Sequence, residues 1–167
     1  MGIVVEMTSR LGPSASRVIA VTSLMGGDGK TTFCANIGAA LAARKADGDV
    51  VFVDTSPLCA DGAGIATAAN DVIVVLAPSW HTVHYAERVI EAAKSHGHMR
   101  IVINRWRPPD REACHRLLEV LPLELLGVIP EDERLRRGEM VILGPECPAG
   151  REYRRIADRL SAPAPRG

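Results

Sequence analysis

The stretch RVIAVTSLMGGDGKTT (residues 17–32) joins an apolar, β-branched run to a glycine-rich loop and then to the start of a helical pattern. Gly26, Gly27 and Gly29 lack a Cβ, so successive backbone N–H groups can turn inward around phosphate oxygens. The helix that begins near Lys30 points its positive N-terminal end at the same anion. The order of strand, loop and helix therefore predicts a phosphate-binding P-loop rather than a glycine turn that happens to contain a lysine.

Side chains of this loop have predicted roles in binding a nucleotide. The Lys30 ammonium can reach the β and γ phosphates, and the Thr31 hydroxyl can ligate Mg²⁺. Asp28 and Thr32 belong to the same loop and are counted among the predicted nucleotide-binding residues. A second element, VVFVDTSP, is an apolar strand that ends in Asp54, as a Walker B strand does. Lys30 and Asp54 are the candidate catalytic residues, and Thr31 and Asp54 are the candidate metal ligands.

The rest of the chain alternates between short apolar runs and amphipathic patterns. Besides residues 17–23, near-continuous apolar runs predict strands over residues 49–54, 71–77, 100–105 and, more weakly, 123–129. Such runs suit strands that are buried on both faces of a parallel sheet. Apolar residues at helical spacing predict helices over residues 30–44, 81–96, 111–121 and 149–160. The pattern predicts an α/β three-layer sandwich with a mostly parallel central sheet, a compact variant of the P-loop NTPase fold. Residues 3–7 are a candidate edge strand.

Composition excludes several classes of protein. The 167 residues suffice for one nucleotide-binding domain, 1–167, with residues 161–167 as a frayed tail. Lys plus Arg equals Asp plus Glu at 20 each, so we expect no nucleic-acid partner and no membrane partner. Four widely spaced cysteines form no metal or redox motif. Without a signal peptide or an apolar run of membrane length, the expected location is the cytoplasm.

The motifs together resemble the ParA/MinD family of P-loop ATPases. The segment MGGDGKTT resembles the family loop K-G-G-x-G-K-[ST]-T, and VFVDTSP resembles its Walker B strand. Two later segments, IVINR and LLGVIPEDERLRRG, resemble those that contact the base. The resemblance implies ATP or ADP with Mg²⁺ as ligands, Asn104 reading adenine, and Pro130 and, less surely, Asp132 closing over the base. It also implies a protein partner of unknown identity and a possible nucleotide-dependent homodimer.

Two departures from that family bear on catalysis. Met25 stands where the family has a signature lysine that crosses to the phosphates of a dimer partner. The strand that usually follows the first helix, with an aspartate that positions the attacking water, is also missing. Losing one such cation costs roughly 10³–10⁵ in rate in related phosphoryl-transfer systems. We therefore expect nucleotide binding with weak or no hydrolysis, unless Asp61 or a nearby cation such as Arg105 or Arg107 compensates.

Three hypotheses follow for the function. The first is a nucleotide-dependent switch or scaffold in positioning, partitioning or regulation that acts on a protein partner. The second is an active ATPase that a partner completes. The third is a non-enzymatic interaction module or a relative of bacterial tyrosine kinases, whose loops also lack the signature lysine. The kinase hypothesis lacks a terminal tyrosine cluster, because the chain contains only Tyr85 and Tyr153.

Overall fold

The five predicted strands are present in the structure, a computed structural model that describes residues 17–44, 50–58, 69–95 and 98–161. They are β1 (Arg17–Ser23), β2 (Val50–Asp54), β3 (Asp71–Leu76), β4 (Met99–Trp106) and β5 (Glu124–Pro130). Each lies within two residues of its predicted bounds. The candidate edge strand over residues 3–7, Asp61 and the tail after residue 161 lie outside the described residues.

The strands form one parallel sheet in the order β2-β1-β3-β4-β5. In the register, Val21 of β1 lies opposite Asp54 of β2 on one side and Ile73 of β3 on the other. The glycine-rich loop leaves the carboxyl end of β1 and therefore starts beside the end of β2. Ligands of open α/β sheets bind at this edge.

Helices cover both faces of the sheet. On one face, α1 (Lys30–Ala42) and α6 (Pro148–Ser161) pack on a core that includes Ile19, Val21, Phe33, Ile37, Tyr153 and Ile156. On the other, α3 (Ala86–Ser95) and α4 (Arg111–Val120) pack on a core that includes Ala20, Val74, Val89, Ile101, Ile103 and Leu117. Successive strand residues thus alternate between the two cores. The predicted three-layer α/β sandwich is confirmed.

The helix predicted over residues 81–96 differs in the structure. It is divided into α2 (Trp80–His84) and α3 by Tyr85, whose dihedral angles of φ −100° and ψ 10° leave the helical range. Tyr85 packs against the core on the second face while its ring lies 4.9 Å from that of His81 and 4.8 Å from that of His84. Two further short helical segments were not predicted, a 3-10 helix (Pro108–Asp110) and α5 (Glu133–Arg136). None of the described helices combines the length and apolarity needed to cross a membrane.

Candidate functional site

The glycine-rich loop has the backbone conformation that its glycines permit. Gly27 and Gly29 have positive φ angles of 89° and 94°. A Cβ at Gly29 would also overlap the side-chain amide nitrogen of Asn104. Gly29 caps α1, and within the described residues no side chain caps that helix end. The N–H groups of the first turn therefore remain available to an anion.

The Lys30 side chain is hydrogen-bonded to the end of β1, where the loop begins. Its Nζ donates a hydrogen bond of 3.0 Å to Oγ of Ser23, which donates one of 2.5 Å to the carbonyl of Met25. Ser23 is fully buried at the end of β1. Sequence reasoning missed Ser23, although its position as the last residue of the strand before the loop was a usable signal. The lysine that was predicted to meet phosphates is thus already directed along the loop.

The two predicted metal ligands meet. The hydroxyl of Thr31 donates a hydrogen bond of 2.5 Å to Oδ2 of Asp54. The end of β2 is held there by the Thr22 hydroxyl, which donates to the carbonyl of Ser56 at 2.9 Å. Mg²⁺ prefers oxygen ligands and is commonly held by one or two carboxylates together with substrate phosphates. The Thr31 and Asp54 oxygens fit that requirement.

Asp28 lies inside the loop rather than at its surface, with a relative exposure of 8%. Its carboxylate accepts a hydrogen bond of 3.2 Å from the backbone N–H of Met25. Burial raises the pKa of Asp28, whereas that hydrogen bond and the charges of Lys30 and Arg105 lower it. Burial is the largest of these effects, so the pKa of Asp28 is raised overall although two cations of the site act against the rise.

A cleft opens beside the loop. It is lined by Gly29, Thr32, Asn104, Arg105, Pro130, Glu131, Asp132, Leu135 and Arg136. The structure thus gathers the predicted residues Thr32, Asn104 and Pro130 in one place. Its position between the P-loop and the segment after β5 suits a base or a ribose next to bound phosphates.

The Asn104 side chain forms a hydrogen bond within the protein that could not be predicted from the sequence. The side chain is buried, and its Nδ2 donates a hydrogen bond of 2.8 Å to the backbone carbonyl of Asp28. The end of β4 is therefore tied to the P-loop. That bond uses one of the two N–H donors of the amide, so the second N–H and the carbonyl oxygen remain for other partners.

The far side of the cleft is built by charged side chains. Asp132 caps α5, since its Oδ1 accepts a hydrogen bond of 2.9 Å from the backbone N–H of Arg134. The Arg134 guanidinium hydrogen-bonds the same carboxylate and lowers the pKa of Asp132. The Asp132 carboxylate is thus used in hydrogen bonds within the segment that follows β5, which lines the cleft.

Met25 is the residue that the resemblance to the ParA/MinD loop places where a signature lysine is expected. It is half-buried, and its side chain packs against the core on the second face of the sheet. A thioether neither donates a hydrogen bond nor carries charge. The loop therefore presents an apolar contact at this position.

The sequence matches a known protein family. Residues 19–141 match the model of the CobQ/CobB/MinD/ParA nucleotide binding domain family. The septum site-determining protein MinD of Helicobacter pylori is 28% identical over 137 residues, covering 71% of this chain and 51% of that protein. A putative septum site-determining protein MinD of Guillardia theta is 35% identical over 86 residues, covering 45% and 32%. The chain thus spans about half the length, or less, of these curated relatives.

Solved structures share the fold. The MinC:MinD cell division protein complex of Aquifex aeolicus aligns with a TM-score of 0.77 and 22% identity, covering 90% of this chain and 99% of that one. A complex of Cyanothece McdA with ATP aligns with a TM-score of 0.71 and 13% identity, covering 90% and 98%. At these identities the likeness concerns the fold alone.

Proposed function

Because the chain belongs to the CobQ/CobB/MinD/ParA nucleotide-binding domain family, we propose that it is an ATP-binding switch or scaffold that acts on a protein partner. One observation carries the proposal. Lys30, Thr31 and Asp54 converge at the carboxyl edge of the sheet, next to a cleft that contains Asn104 and Pro130. A nucleotide would span these two parts, with its phosphates on the loop and its base in the cleft.

Different residues of the site would bind the phosphates and the Mg²⁺ ion of the nucleotide. The N–H groups of the loop and the Lys30 ammonium would hold the phosphates, and Thr31 and Asp54 would hold Mg²⁺. When bound, Mg²⁺ neutralises charge on the β and γ phosphates. Lys30 has only to exchange its bond with Ser23 for one with a phosphate. The loop needs little rearrangement for this, which favours binding.

Weak hydrolysis is part of the proposal. Catalysis of phosphoryl transfer depends on positioning the nucleophile and on neutralising charge in the transition state. Met25 has no charge with which to stabilise the transition state, and its side chain packs against the core. The kinase hypothesis has less support, because the chain has only two tyrosines and one of them, Tyr153, is fully buried.

The biological setting is proposed from the named relatives. Both curated relatives are septum site-determining proteins by name. We propose that this chain has the same broad kind of function, the positioning or partitioning of a cellular structure through a protein partner. A homodimer is compatible with that role.

Binding and turnover measured on one purified sample test the proposal. We expect calorimetry to show saturable binding of Mg²⁺-ATP and Mg²⁺-ADP at one site per chain. Phosphate release should be slow compared with an active relative assayed in parallel. Rapid turnover by the isolated chain would favour a self-sufficient ATPase, and absence of binding would leave only the interaction-module hypothesis.

Replacing Met25 with lysine should change dimerisation more than catalysis. In the wild type, two facing triphosphates would repel each other without the crossing cation, so any dimer should form equally well with ADP and ATP. Met25→Lys should make dimerisation about tenfold tighter with ATP than with ADP, the order of one charge-assisted hydrogen bond. Sedimentation velocity with each nucleotide, alongside phosphate release, measures both effects.

Met25→Gln is the matched control for that experiment. It removes the same apolar contact without adding charge, so it should show no ATP preference. Phosphate release should stay slow in both variants, since the water-positioning aspartate is still missing. A wild type that dimerises only with ATP and hydrolyses it rapidly contradicts the prediction.

Asn104→Ala should weaken ATP binding and narrow the preference for ATP over GTP. The expected loss is about 1 kcal/mol or more, because one buried hydrogen bond to the loop and one to the base are removed. Competition of ATP and GTP for a fluorescent ADP analogue measures the preference. Thermal unfolding without nucleotide separates the structural bond to Asp28 from contact with the base. Equal affinity of the wild type for ATP and GTP would count against base reading by Asn104.

A further inference from the structure

Arg105 is placed against the P-loop by an irregularity in the sheet. Between β4 and β5, Ile103 pairs with Val128 and Trp106 pairs with Pro130, so β4 contains one extra residue in this interval. Such bulges redirect a side chain, and they are common beside functional sites. Here the redirected residue is Arg105, which lines the cleft. Its Nε lies 4.0 Å from the position of a Cβ built on Gly29.

The backbone of Arg105 is strained. Its φ of 58° is the positive value that L-residues with side chains avoid, and among the described non-glycine residues only Arg105 has one. A non-glycine residue in this region costs of order 1–3 kcal/mol, and such residues concentrate at functional sites. A glycine would satisfy the turn without strain. The strain at Arg105 therefore marks this position as a candidate functional position.

A neighbouring arginine, two residues further on, is already engaged in salt bridges. Arg107 pairs with Asp110 at 2.9 Å and lies 3.6 Å from Glu131. Within the described part of the chain, Arg105 forms no salt bridge, and its charge lowers the pKa of Asp28 in the P-loop. The guanidinium of Arg105 is thus exposed at the cleft and available to a ligand.

We propose that Arg105 binds the phosphates of the nucleotide from within the same chain, as a second cation beside Lys30. The inference rests on the proposed nucleotide binding. An arginine guanidinium donates paired hydrogen bonds to phosphate oxygens. From beside Gly29, between the loop and the cleft, it meets the phosphates nearest the ribose, which ADP and ATP share. It therefore strengthens binding of both nucleotides and supplies charge that Met25 does not.

Calorimetry of single-residue variants of this chain tests the assignment. Arg105→Gln should weaken both Mg²⁺-ADP and Mg²⁺-ATP by about tenfold to 100-fold, as for loss of charged hydrogen bonds. Arg105→Lys should recover part of the loss. Arg107→Gln, the matched control, should change affinity by less than about twofold because that side chain is committed elsewhere. The affinity of Arg105→Gln for ADP should also fall less steeply as salt rises, since one phosphate contact is gone.

Arg105→Gly separates binding from folding. It should weaken ADP binding as much as Arg105→Gln, yet its melting temperature without nucleotide should equal or exceed that of the wild type, because strain is released. Wild-type affinity in Arg105→Gln overturns the inference while leaving the proposed function intact. An unchanged salt dependence in Arg105→Gln overturns the assignment to phosphates. Failure of the wild type to bind any nucleotide overturns both the inference and the proposed function.

Discussion

Replacing Lys30 with alanine should remove most of the stabilisation that Mg²⁺-ATP gives to the folded protein. A ligand at about 100 times its Kd stabilises the native state by about 2.7 kcal/mol. If the variant binds about 100-fold more weakly, the same concentration contributes only about 0.4 kcal/mol. The reason is that the Lys30 ammonium, now 3.0 Å from the Ser23 hydroxyl, lies within the loop that would hold the phosphates. Thermal or urea unfolding with and without nucleotide measures the difference.

An exposed lysine on the opposite side of the sheet provides the control. Lys94 lies in the last turn of α3, so Lys94→Ala should retain the full nucleotide-dependent stabilisation. Unfolding of Lys30→Ala without nucleotide should be close to that of the wild type, since one hydrogen bond to Ser23 contributes about 1 kcal/mol. Equal nucleotide-dependent stabilisation in Lys30→Ala and the wild type would remove the P-loop from the mechanism.

Gly29→Ala should destabilise the protein even without nucleotide. The substitution forces a side chain into a φ of 94° and drives its Cβ into the Asn104 amide nitrogen. Backbone strain and loss of the bond from Asn104 to the Asp28 carbonyl together should cost about 2–4 kcal/mol of unfolding free energy. Urea denaturation followed by circular dichroism gives that number directly. Nucleotide binding should fall as well, because the start of α1 moves.

Gly26→Ala is the matched substitution in the same loop. A Cβ at Gly26 meets no atom within 4 Å in the structure, and its φ is not positive. Its effect on the unfolding free energy should therefore stay within about 1 kcal/mol. If the Gly26 and Gly29 variants were equally stable, the contact between β4 and the loop would have to be looser than the geometry indicates.

The amino-acid sequence by itself determined the elements and the chemistry of the loop. Apolar runs and helical spacing are local patterns, so the strands and most helices could be predicted to within a few residues. The meeting of Thr31 with Asp54 could also be expected, because the carboxyl ends of neighbouring parallel strands lie at the same edge. The P-loop was predictable because its glycines, Lys30 and Thr31 lie next to one another in the sequence.

Only the tertiary structure decided how distant segments meet at the site. The strand order, the burial of Asp28 and the bond from Asn104 to the loop depend on contacts between residues far apart in sequence. Arg105 and Arg107 were equivalent in the sequence. A bulge turned the first toward Gly29, whereas Asp110 and Glu131 engaged the second. Side-chain direction follows from register and packing, which no local pattern encodes, and for this reason only the folded chain distinguished Arg105 from Arg107 as the second candidate cation.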